Sequence, residues 1–257
     1  MKTVILAGGF GSRLGNLTEA VPKPMVLVGG KPIIWHIMKY YSCFGYHDFI
    51  ISCGYKANVI KEYFYNYHLY DNDFTIDYET KETRIHYGQQ GESWSVTVAD
   101  TGLNSLKGAR LKRIEKYLDD GINMITYGDG VSNLNLHNLL EFHKKHGKII
   151  TITGVHPPSR FGEIIERDGR VTSFLEKPQT SSGLINGGFM VFNKKLLDYL
   201  SADEKCDLEY GPFEQLASDD EIMVFAHSGN LECLDTERDL NHLNKLWNEG
   251  KAFWKIW

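Results

Sequence analysis

A glycine-rich stretch near the start of the chain has the composition of a phosphate-binding loop. It follows an apolar run and contains Gly8, Gly9, Gly11 and Arg13. Glycines leave room for backbone N–H groups to turn toward a phosphate, and an arginine supplies a charged fork for its oxygens. Leu14 replaces the third glycine of a G-x-G-x-x-G motif, and the Gly-Lys-Ser/Thr ending of a P-loop is missing. The stretch therefore favours a nucleotide site that is neither of these two types; the alternative is a simple turn.

A lysine between two prolines follows this loop. Each proline of Pro22-Lys23-Pro24 fixes its own φ and restricts the residue before it. Because a lysine with so little backbone freedom can aim its ammonium group, we interpret Lys23 as a second phosphate-binding cation beside Arg13. An ordinary surface loop is the alternative.

Two carboxylates stand where a metal ion would meet phosphates. Asp129 lies between glycines directly after an apolar run, and Asp235 follows another apolar stretch. Mg²⁺ keeps several waters and needs only one or two protein carboxylates, so we predict that these two residues bind magnesium. For Asp235, a helix N-cap shared with Thr236 is the structural alternative. His143 and His146 lack a third ligand nearby, and we interpret them as part of a solvated helix face.

Three short motifs in the second half of the chain are suited to a phosphorylated acceptor. They supply Gly162, Glu176, Lys177, Asn186 and Gly187. A carboxylate suits sugar hydroxyls, a lysine suits a phosphate, and glycines let backbone groups come close to a ligand. The sequence has no Gly-x-Ser-x-Gly elbow, which leaves a serine hydrolase without support.

Composition and charge favour a globular enzyme over a nucleic-acid-binding or membrane protein. The 257 residues, 42% of them hydrophobic, are enough for one full core. The net charge is −5 and the 28 basic residues are scattered, so the basic surface of a nucleic-acid binder is missing. No stretch approaches the ~18 apolar residues of a spanning helix, and the four cysteines form no C-x-x-C pair. We expect a cytoplasmic protein that binds neither nucleic acid nor a membrane.

The elements that position these residues alternate between strands and helices. Continuous apolar runs predict buried strands at 3–7, 48–53, 123–127 and 149–155, and amphipathic patterns predict helices at 32–44, 57–67, 107–118 and 136–146. Strands too apolar to face water indicate a doubly wound, mostly parallel α/β sheet, which binds ligands beyond the carboxyl ends of its strands. We predict one domain, 1–257, made of a nucleotide-binding core (about 1–155), a smaller β-rich acceptor-binding lobe (about 156–235) and a C-terminal helix (about 236–257).

In combination, these motifs resemble the sugar-phosphate nucleotidyltransferase family, over nearly the whole chain. The runs that carry the resemblance are Leu6–Leu14, Pro22–Met25, Gly128–Gly130, Glu176–Pro178 and Asn186–Phe189. Other runs are similar to the glucose-1-phosphate cytidylyltransferase branch of that family: Gly29–Met38, Cys53–Lys56, Ile60–Phe64, Gly108–Arg113 and Gly250–Lys255. The fold implied is that of the nucleotide-diphospho-sugar transferases.

The resemblance also implies an activity and a set of site residues. It implies magnesium-dependent transfer of CMP from CTP to glucose 1-phosphate, giving CDP-glucose and pyrophosphate, by a homo-oligomer. The catalytic residues would be Arg13, Lys23 and Asp129, and the magnesium ligands Asp129 and Asp235. The nucleotide would contact Leu6, Ala7, Gly8, Gly9, Phe10, Gly11, Ser12, Arg13, Lys23, Ser105, Arg110 and Gly128. The acceptor would contact Gly162, Glu176, Lys177, Asn186 and Gly187.

One segment departs from the family pattern. Residues 229–234 correspond to an aromatic-rich run of the cytidylyltransferases and carry Glu232 here. A carboxylate near the acceptor pocket would suit a different sugar phosphate or a phosphorylated non-sugar, which is the first alternative function. The second is a non-catalytic, nucleotide-binding regulatory subunit, which would be expected to lose Arg13 or the metal carboxylates. Residues 70–95 also match the family only loosely.

Overall fold

The computed structural model describes residues 1–15, 17–86, 91–156, 163–167, 170–175 and 183–257. Side chains are described throughout these ranges except at 163–167 and 173–175. Three residues predicted to contact the acceptor, Gly162, Glu176 and Lys177, lie outside the described residues.

Strands and helices alternate along the chain, in agreement with the sequence pattern. The strands are β1 (Thr3–Ala7), β2 (Leu27–Val28), β3 (Lys31–Pro32), β4 (Asp48–Cys53), β5 (Asp73–Ile76), β6 (Thr83–His86), β7 (Ser95–Asp100), β8 (Ile122–Tyr127), β9 (Gly130–Ser132), β10 (Ile150–Val155), β11 (Glu163–Arg167), β12 (Arg170–Leu175), β13 (Ile185–Asn193), β14 (Ile222–His227) and β15 (Leu231–Cys233). The helices are α1 (Leu17–Ala20), α2 (Ile33–Ser42), α3 (Ala57–Tyr65), α4 (Tyr67–Asp71), α5 (Lys107–Arg113), α6 (Leu136–His146), α7 (Pro212–Ser218) and α8 (Glu237–Asn248). Within the described ranges, none of these helices has the length and apolar character needed to span a membrane.

Within the described part of the chain, seven strands form one large sheet in the order β14-β10-β13-β8-β1-β4-β7. Neighbouring strands are parallel except at β13, which is antiparallel to both β10 and β8. The predicted doubly wound, mostly parallel α/β sheet is therefore confirmed. Within the predicted lobe at about 156–235, the hairpin β11–β12 forms a small antiparallel sheet of its own, whereas β13 and β14 join the large sheet. The predicted bounds of the lobe stay a prediction.

Helices cover both faces of the large sheet. In β1, Ile5 and Ala7 face a core shared with α2, α3, α6 and α8, whereas Val4 and Leu6 face a core shared with α5 and α7. This alternation follows from the two-residue period of a strand. A strand buried on both faces must be apolar throughout, which explains why β1, β4 and β8 are recognisable in the sequence. The two cores hold the ends of these strands in fixed positions.

The chain after the last helix packs into the core, and one prediction about a helix face is wrong. The C-terminal helix ends at Asn248, and the chain after it is held by Trp254, which is 1% exposed and whose indole Nε1 lies 3.4 Å from His36 Nδ1. His143, predicted on a solvated helix face, is buried, and its Nδ1 lies 2.9 Å from the hydroxyl of Thr151 on β10. The difference at His143 arises because β10 packs against α6 and covers a polar residue that the helix pattern alone does not mark as buried.

Candidate nucleotide-binding and metal site

The carboxyl ends of two adjacent parallel strands open into a cleft of about 480 Å³. β1 and β8 pair in register with Leu6 opposite Tyr127, so the loops that follow them emerge side by side. Doubly wound sheets bind ligands at this edge. Every residue predicted to contact the nucleotide lines the cleft, namely Leu6, Ala7, Gly8, Gly9, Phe10, Gly11, Ser12, Arg13, Lys23, Ser105, Arg110 and Gly128.

Arg110 forms a buried wall of this cleft. The residue is 4% exposed, and its guanidinium donates hydrogen bonds to the carbonyls of Gly8, Cys53, Gly102 and Leu103 and to the hydroxyl of Thr101. These acceptors lie at or directly after the carboxyl ends of β1, β4 and β7, so one side chain links three strand ends. Position 8 requires glycine, since a Cβ there would lie 2.2 Å from the Arg110 guanidinium. Arg110 therefore positions the glycine loop.

Ser105 holds the turn between β7 and α5, which Arg110 also contacts. It is buried, its hydroxyl donates to the carbonyl of Thr101 at 2.7 Å, and it accepts from Arg113 Nη1 at 2.7 Å. These hydrogen bonds fix the turn between β7 and α5. The structure thus places the side chains of Ser105 and Arg110 in the framework of the cleft.

A lysine and two carboxylates meet at the cleft. Lys23 Nζ lies 2.5 Å from Asp129 Oδ2 and 2.7 Å from Asp235 Oδ1, and Arg13 Nη1 lies 3.1 Å from Asp235 Oδ2. The side chain of Lys23 is 12% exposed, whereas that of Arg13 is 72% exposed. Burial by itself lowers the pKa of Lys23, but the two carboxylates outweigh burial and raise the pKa above its ordinary value. Lys23 is therefore a fixed cation, and Arg13 is an exposed one that can turn toward a ligand.

Asp235 is available to this cluster because its neighbour caps the following helix. Thr236 is the N-cap of α8, where its hydroxyl accepts from the N–H of Asp239 at 3.3 Å. The Asp239 carboxylate in turn accepts from the N–H of Thr236 at 2.8 Å, completing a capping box. The capping role considered for Asp235 thus belongs to Thr236, and the Asp235 carboxylate faces Lys23 and Arg13.

The two carboxylates fit a hard divalent cation. One oxygen of Asp129 and one of Asp235 lie within 2.7 Å of Lys23 Nζ, so the two carboxylates are close enough to contact one cation together. Among the described residues, no group of three or more His, Cys, Asp or Glu side chains is arranged to hold a metal ion. Mg²⁺ in nucleotide sites is held by one or two carboxylates, water and substrate phosphates. The arrangement suits a metal whose coordination is completed by phosphate oxygens.

Asn186 and Gly187, both predicted to contact the acceptor, lie on β13 next to the cleft. Asn186 is exposed, and its Nδ2 donates a hydrogen bond to the hydroxyl of Tyr127 at 3.1 Å. Gly187 is buried, and a Cβ there would lie 3.1 Å from Val155 Cγ1. Since Tyr127 lines the nucleotide cleft, Asn186 stands at its border.

Sequence reasoning missed several residues of the cleft. Its lining also includes Pro24, Leu103, Asn104, Leu106, Lys107 and Tyr127. Tyr127 had a usable signal, because it ends an apolar strand immediately before Gly128-Asp129. Leu103, Asn104, Leu106 and Lys107 had none, since their approach to the cleft depends on how α5 packs against the sheet.

Glu232, predicted to add a carboxylate near the acceptor pocket, faces helix α8. Its place relative to the acceptor stays a prediction, because Gly162, Glu176 and Lys177 lie outside the described residues. It pairs with Val131 in the β15–β9 ladder, and its carboxylate lies 3.7 Å from His242 Nε2. Burial raises the pKa of Glu232 above its ordinary value. The next residue, Cys233, points to the other face of the strand and lies against Gly130. The alternation of side chains along β15 thus directs Glu232 away from Asp129.

The fold and the charged cleft define an enzyme that handles nucleotide phosphates at the end of a doubly wound sheet. A comparison with known families identifies the group: residues 2–231 match the nucleotidyl transferase family, and the chain belongs to that family.

Two curated relatives align with the chain from end to end. Glucose-1-phosphate cytidylyltransferase of Salmonella typhimurium (strain LT2) is 48% identical over 258 residues, covering 100% of both chains. Probable glucose-1-phosphate cytidylyltransferase of Bacillus subtilis (strain 168) is 42% identical over 257 residues, again covering 100% of both. The crystal structure of HddC from Yersinia pseudotuberculosis is similar with a TM-score of 0.66 at 23% identity, over 96% of this chain and 99% of that chain, which supports the fold.

Proposed function

We propose that this protein transfers the CMP group of CTP to glucose 1-phosphate and releases CDP-glucose and pyrophosphate. The choice of substrates is supported by the two full-length relatives, both named as glucose-1-phosphate cytidylyltransferases. The reaction type is supported by one observation above all: Asp129 and Asp235 converge on Lys23 beside a glycine-walled cleft.

The proposed chemistry needs no protein nucleophile. An oxygen of the acceptor phosphate attacks the α-phosphorus of CTP in line, a new P–O bond forms, and the bond to the β-phosphate breaks as pyrophosphate leaves. Lys23 and Arg13 offset the negative charge that gathers on the phosphoryl oxygens. Backbone N–H groups of the loop from Gly8 to Gly11 bind phosphate oxygens. A Mg²⁺ ion bound by Asp129 and Asp235 would add Lewis-acid charge neutralisation.

The competing functions have less support. A different acceptor was suggested by Glu232, and that carboxylate faces His242 on α8. A regulatory subunit would be free to lose the charged groups, yet Arg13, Lys23 and Asp235 are linked within 3.1 Å. Transfer to glucose 1-phosphate therefore remains the best-supported function.

We also propose that the enzyme works in the cytoplasm as a homo-oligomer. All four cysteines are free thiols, which suits a reducing compartment. The hairpin β5–β6 exposes Phe74, Ile76 and Tyr78. A two-stranded hairpin is only marginally stable by itself in water, so contact with another copy of the chain would stabilise it.

Pyrophosphate release tests the proposed function directly. The purified protein with Mg²⁺ is assayed with CTP, UTP, dTTP or GTP against glucose 1-phosphate, other hexose 1-phosphates and phosphorylated non-sugars. We expect the highest kcat/KM for CTP with glucose 1-phosphate, by at least about tenfold over the other pairs. Turnover with another acceptor alone would keep the chemistry and replace the substrate, whereas silence with every pair would contradict an enzymatic function.

A further inference from the structure

Four side chains form a continuous row from the nucleotide cleft to Asn186. Lys107 Nζ lies 2.6 Å from Glu209 Oε2, and the hydroxyl of Tyr127 donates a hydrogen bond to Glu209 Oε1. The same hydroxyl accepts a hydrogen bond from Asn186 Nδ2 at 3.1 Å. Lys107 and Tyr127 line the nucleotide cleft, and the ammonium group of Lys107 also lies 5.6 Å from the centre of the Tyr127 ring.

The direction of each hydrogen bond in this row is fixed by chemistry. A phenolic hydroxyl has one proton, and the carboxylate of Glu209 can only accept, so the Tyr127 proton points to Glu209. The oxygen of Tyr127 is then an acceptor, which requires the NH₂ group of Asn186 to face it. The Asn186 Oδ1 accepts the N–H of Gly188 at 2.9 Å. Both ends of the amide are therefore assigned, leaving one N–H and one Oδ1 lone pair for a ligand.

Backbone geometry supports the same arrangement. Gly188 has φ +81°, and a Cβ there would lie 2.5 Å from Tyr127 Cδ2. Glycine at this position leaves room for the ring of Tyr127 beside β13, where its hydroxyl reaches Asn186. The order of the motif Asn186-Gly187-Gly188 suits this arrangement: the asparagine that contacts the Tyr127 hydroxyl stands two residues before the glycine that leaves room for the Tyr127 ring.

We propose that Tyr127 and Glu209 are positioning residues that orient the Asn186 amide toward the hydroxyl groups of the acceptor sugar. This proposal rests on the proposed function, because it assigns Asn186 to the acceptor. Lys107 keeps Glu209 paired, and Glu209 sets the direction of the Tyr127 hydroxyl. Loss of the hydroxyl lets the amide turn, so acceptor recognition weakens while nucleotide binding is preserved.

The test begins with Tyr127→Phe, which keeps the ring against Gly188 and removes only the hydroxyl. We expect the KM for glucose 1-phosphate to rise about tenfold, the size of one to two lost hydrogen bonds. We expect the KM for CTP to stay within about twofold and the thermal midpoint to stay close to that of the wild-type protein. A structural defect alone would move both KM values and the midpoint together.

A double-mutant cycle with Asn186→Ala decides whether the two residues act together. If Tyr127 acts through the Asn186 amide, Tyr127→Phe adds no further loss of acceptor affinity once Asn186 is alanine. Tyr199→Phe is the matched control, since the Tyr199 hydroxyl also donates to a carboxylate, Asp219, at 2.9 Å on the surface. We expect that control to leave every kinetic constant unchanged.

Several results would overturn the proposal: full additivity in the cycle, an equal rise in both KM values, or no change in Tyr127→Phe. These results can be told apart from a failure of the proposed function, because in that case the wild-type protein itself would not turn over glucose 1-phosphate. If it uses another phosphorylated acceptor, the same cycle is run with that acceptor. Absence of any acceptor turnover or binding would contradict both proposals.

Discussion

Arg110 is a buried charge whose hydrogen-bond partners are all neutral. Its guanidinium donates to four backbone carbonyls and one hydroxyl, and it forms no ion pair within 4.0 Å among the described residues. Burial lowers the pKa of Arg110, but an arginine remains charged because its ordinary pKa is so high. An unneutralised cation behind the glycine loop makes the cleft attractive to phosphates, in addition to the contribution of Lys23 and Arg13.

Gly8→Ala should lower both stability and nucleotide binding. The new methyl group would overlap the Arg110 guanidinium, which cannot move without breaking its hydrogen bonds to Cys53 and Gly102. Overpacking of this kind costs about 1–3 kcal/mol, so we expect a thermal midpoint about 3–10 °C lower by calorimetry and a raised KM for CTP.

Gly9→Ala is the matched control for this prediction. Gly9 is exposed, and no heavy atom lies within 4 Å of the position that a Cβ would take. Its free energy of unfolding should stay within about 0.5 kcal/mol of the wild-type value. Equal stability of the two variants would show that Arg110 does not constrain position 8.

At the scale of elements, α6 and β10 are joined by two histidines that share one hydroxyl. The N–H of Lys148 donates to His146 Nδ1 at 2.9 Å, so neutral His146 carries its proton on Nε2, which lies 2.7 Å from Thr151 Oγ1. The Thr151 hydroxyl can then donate to His143 Nδ1 at 2.9 Å. Burial lowers the pKa of His143 to about 4 and also lowers that of His146. The contact between the two elements thus requires both rings to be neutral.

This contact predicts a loss of stability in mild acid. With a folded pKa below the unfolded value of about 6.5, each histidine binds fewer protons when folded, so stability is full above pH 6.5 and is lost as the pH falls toward 4. One such histidine changes the free energy of unfolding by up to about 1.4 kcal/mol per pH unit in that window. His143→Gln should reduce the slope measured by urea unfolding between pH 6.5 and 4.5.

His137→Gln serves as the control on the same helix. His137 is exposed at the start of α6, and its exchange should leave the pH slope unchanged. A slope that does not change in His143→Gln would contradict the assignment of buried, neutral histidines.

The elements that could be predicted from the sequence are those whose own apolar pattern shows which of their residues are buried. The helix predicted at 136–146 has the observed bounds of α6, and β1 matches its predicted range. In both, the spacing of apolar residues depends only on the geometry of that one element. The antiparallel direction of β13 could not be predicted, since a strand buried on both faces is apolar whichever way it runs.

The candidate site shows the same division. Lys23 was predicted from its flanking prolines, and Asp129 and Asp235 from their places after apolar runs; the structure brings the three together. Glu209 was not predicted, because it lies in an irregular segment whose contact with Tyr127 depends on the packing of the whole second half of the chain.

At the scale of the whole molecule, the proposed metal site combines residues that are far apart in the sequence and that the fold brings together. Lys23 is 106 residues from Asp129 and 212 residues from Asp235 along the chain. One carboxylate follows β8 in the centre of the sheet, and the other lies between β15 and α8 near the C-terminus. A single bound cation would therefore link the first and last parts of the chain, and the two carboxylates should act as one functional unit.

The most direct test of the account measures CDP-glucose formation from CTP and glucose 1-phosphate by Asp129→Asn, Asp235→Asn and the double variant. If both carboxylates serve one magnesium site, each single change lowers kcat by about 100- to 1000-fold, and the double variant is within about threefold of the weaker single one. Circular dichroism and thermal midpoints should show that the variants stay folded. Near-normal turnover by Asp129→Asn, or losses that multiply in the double variant, would contradict a shared metal site and with it the proposed mechanism.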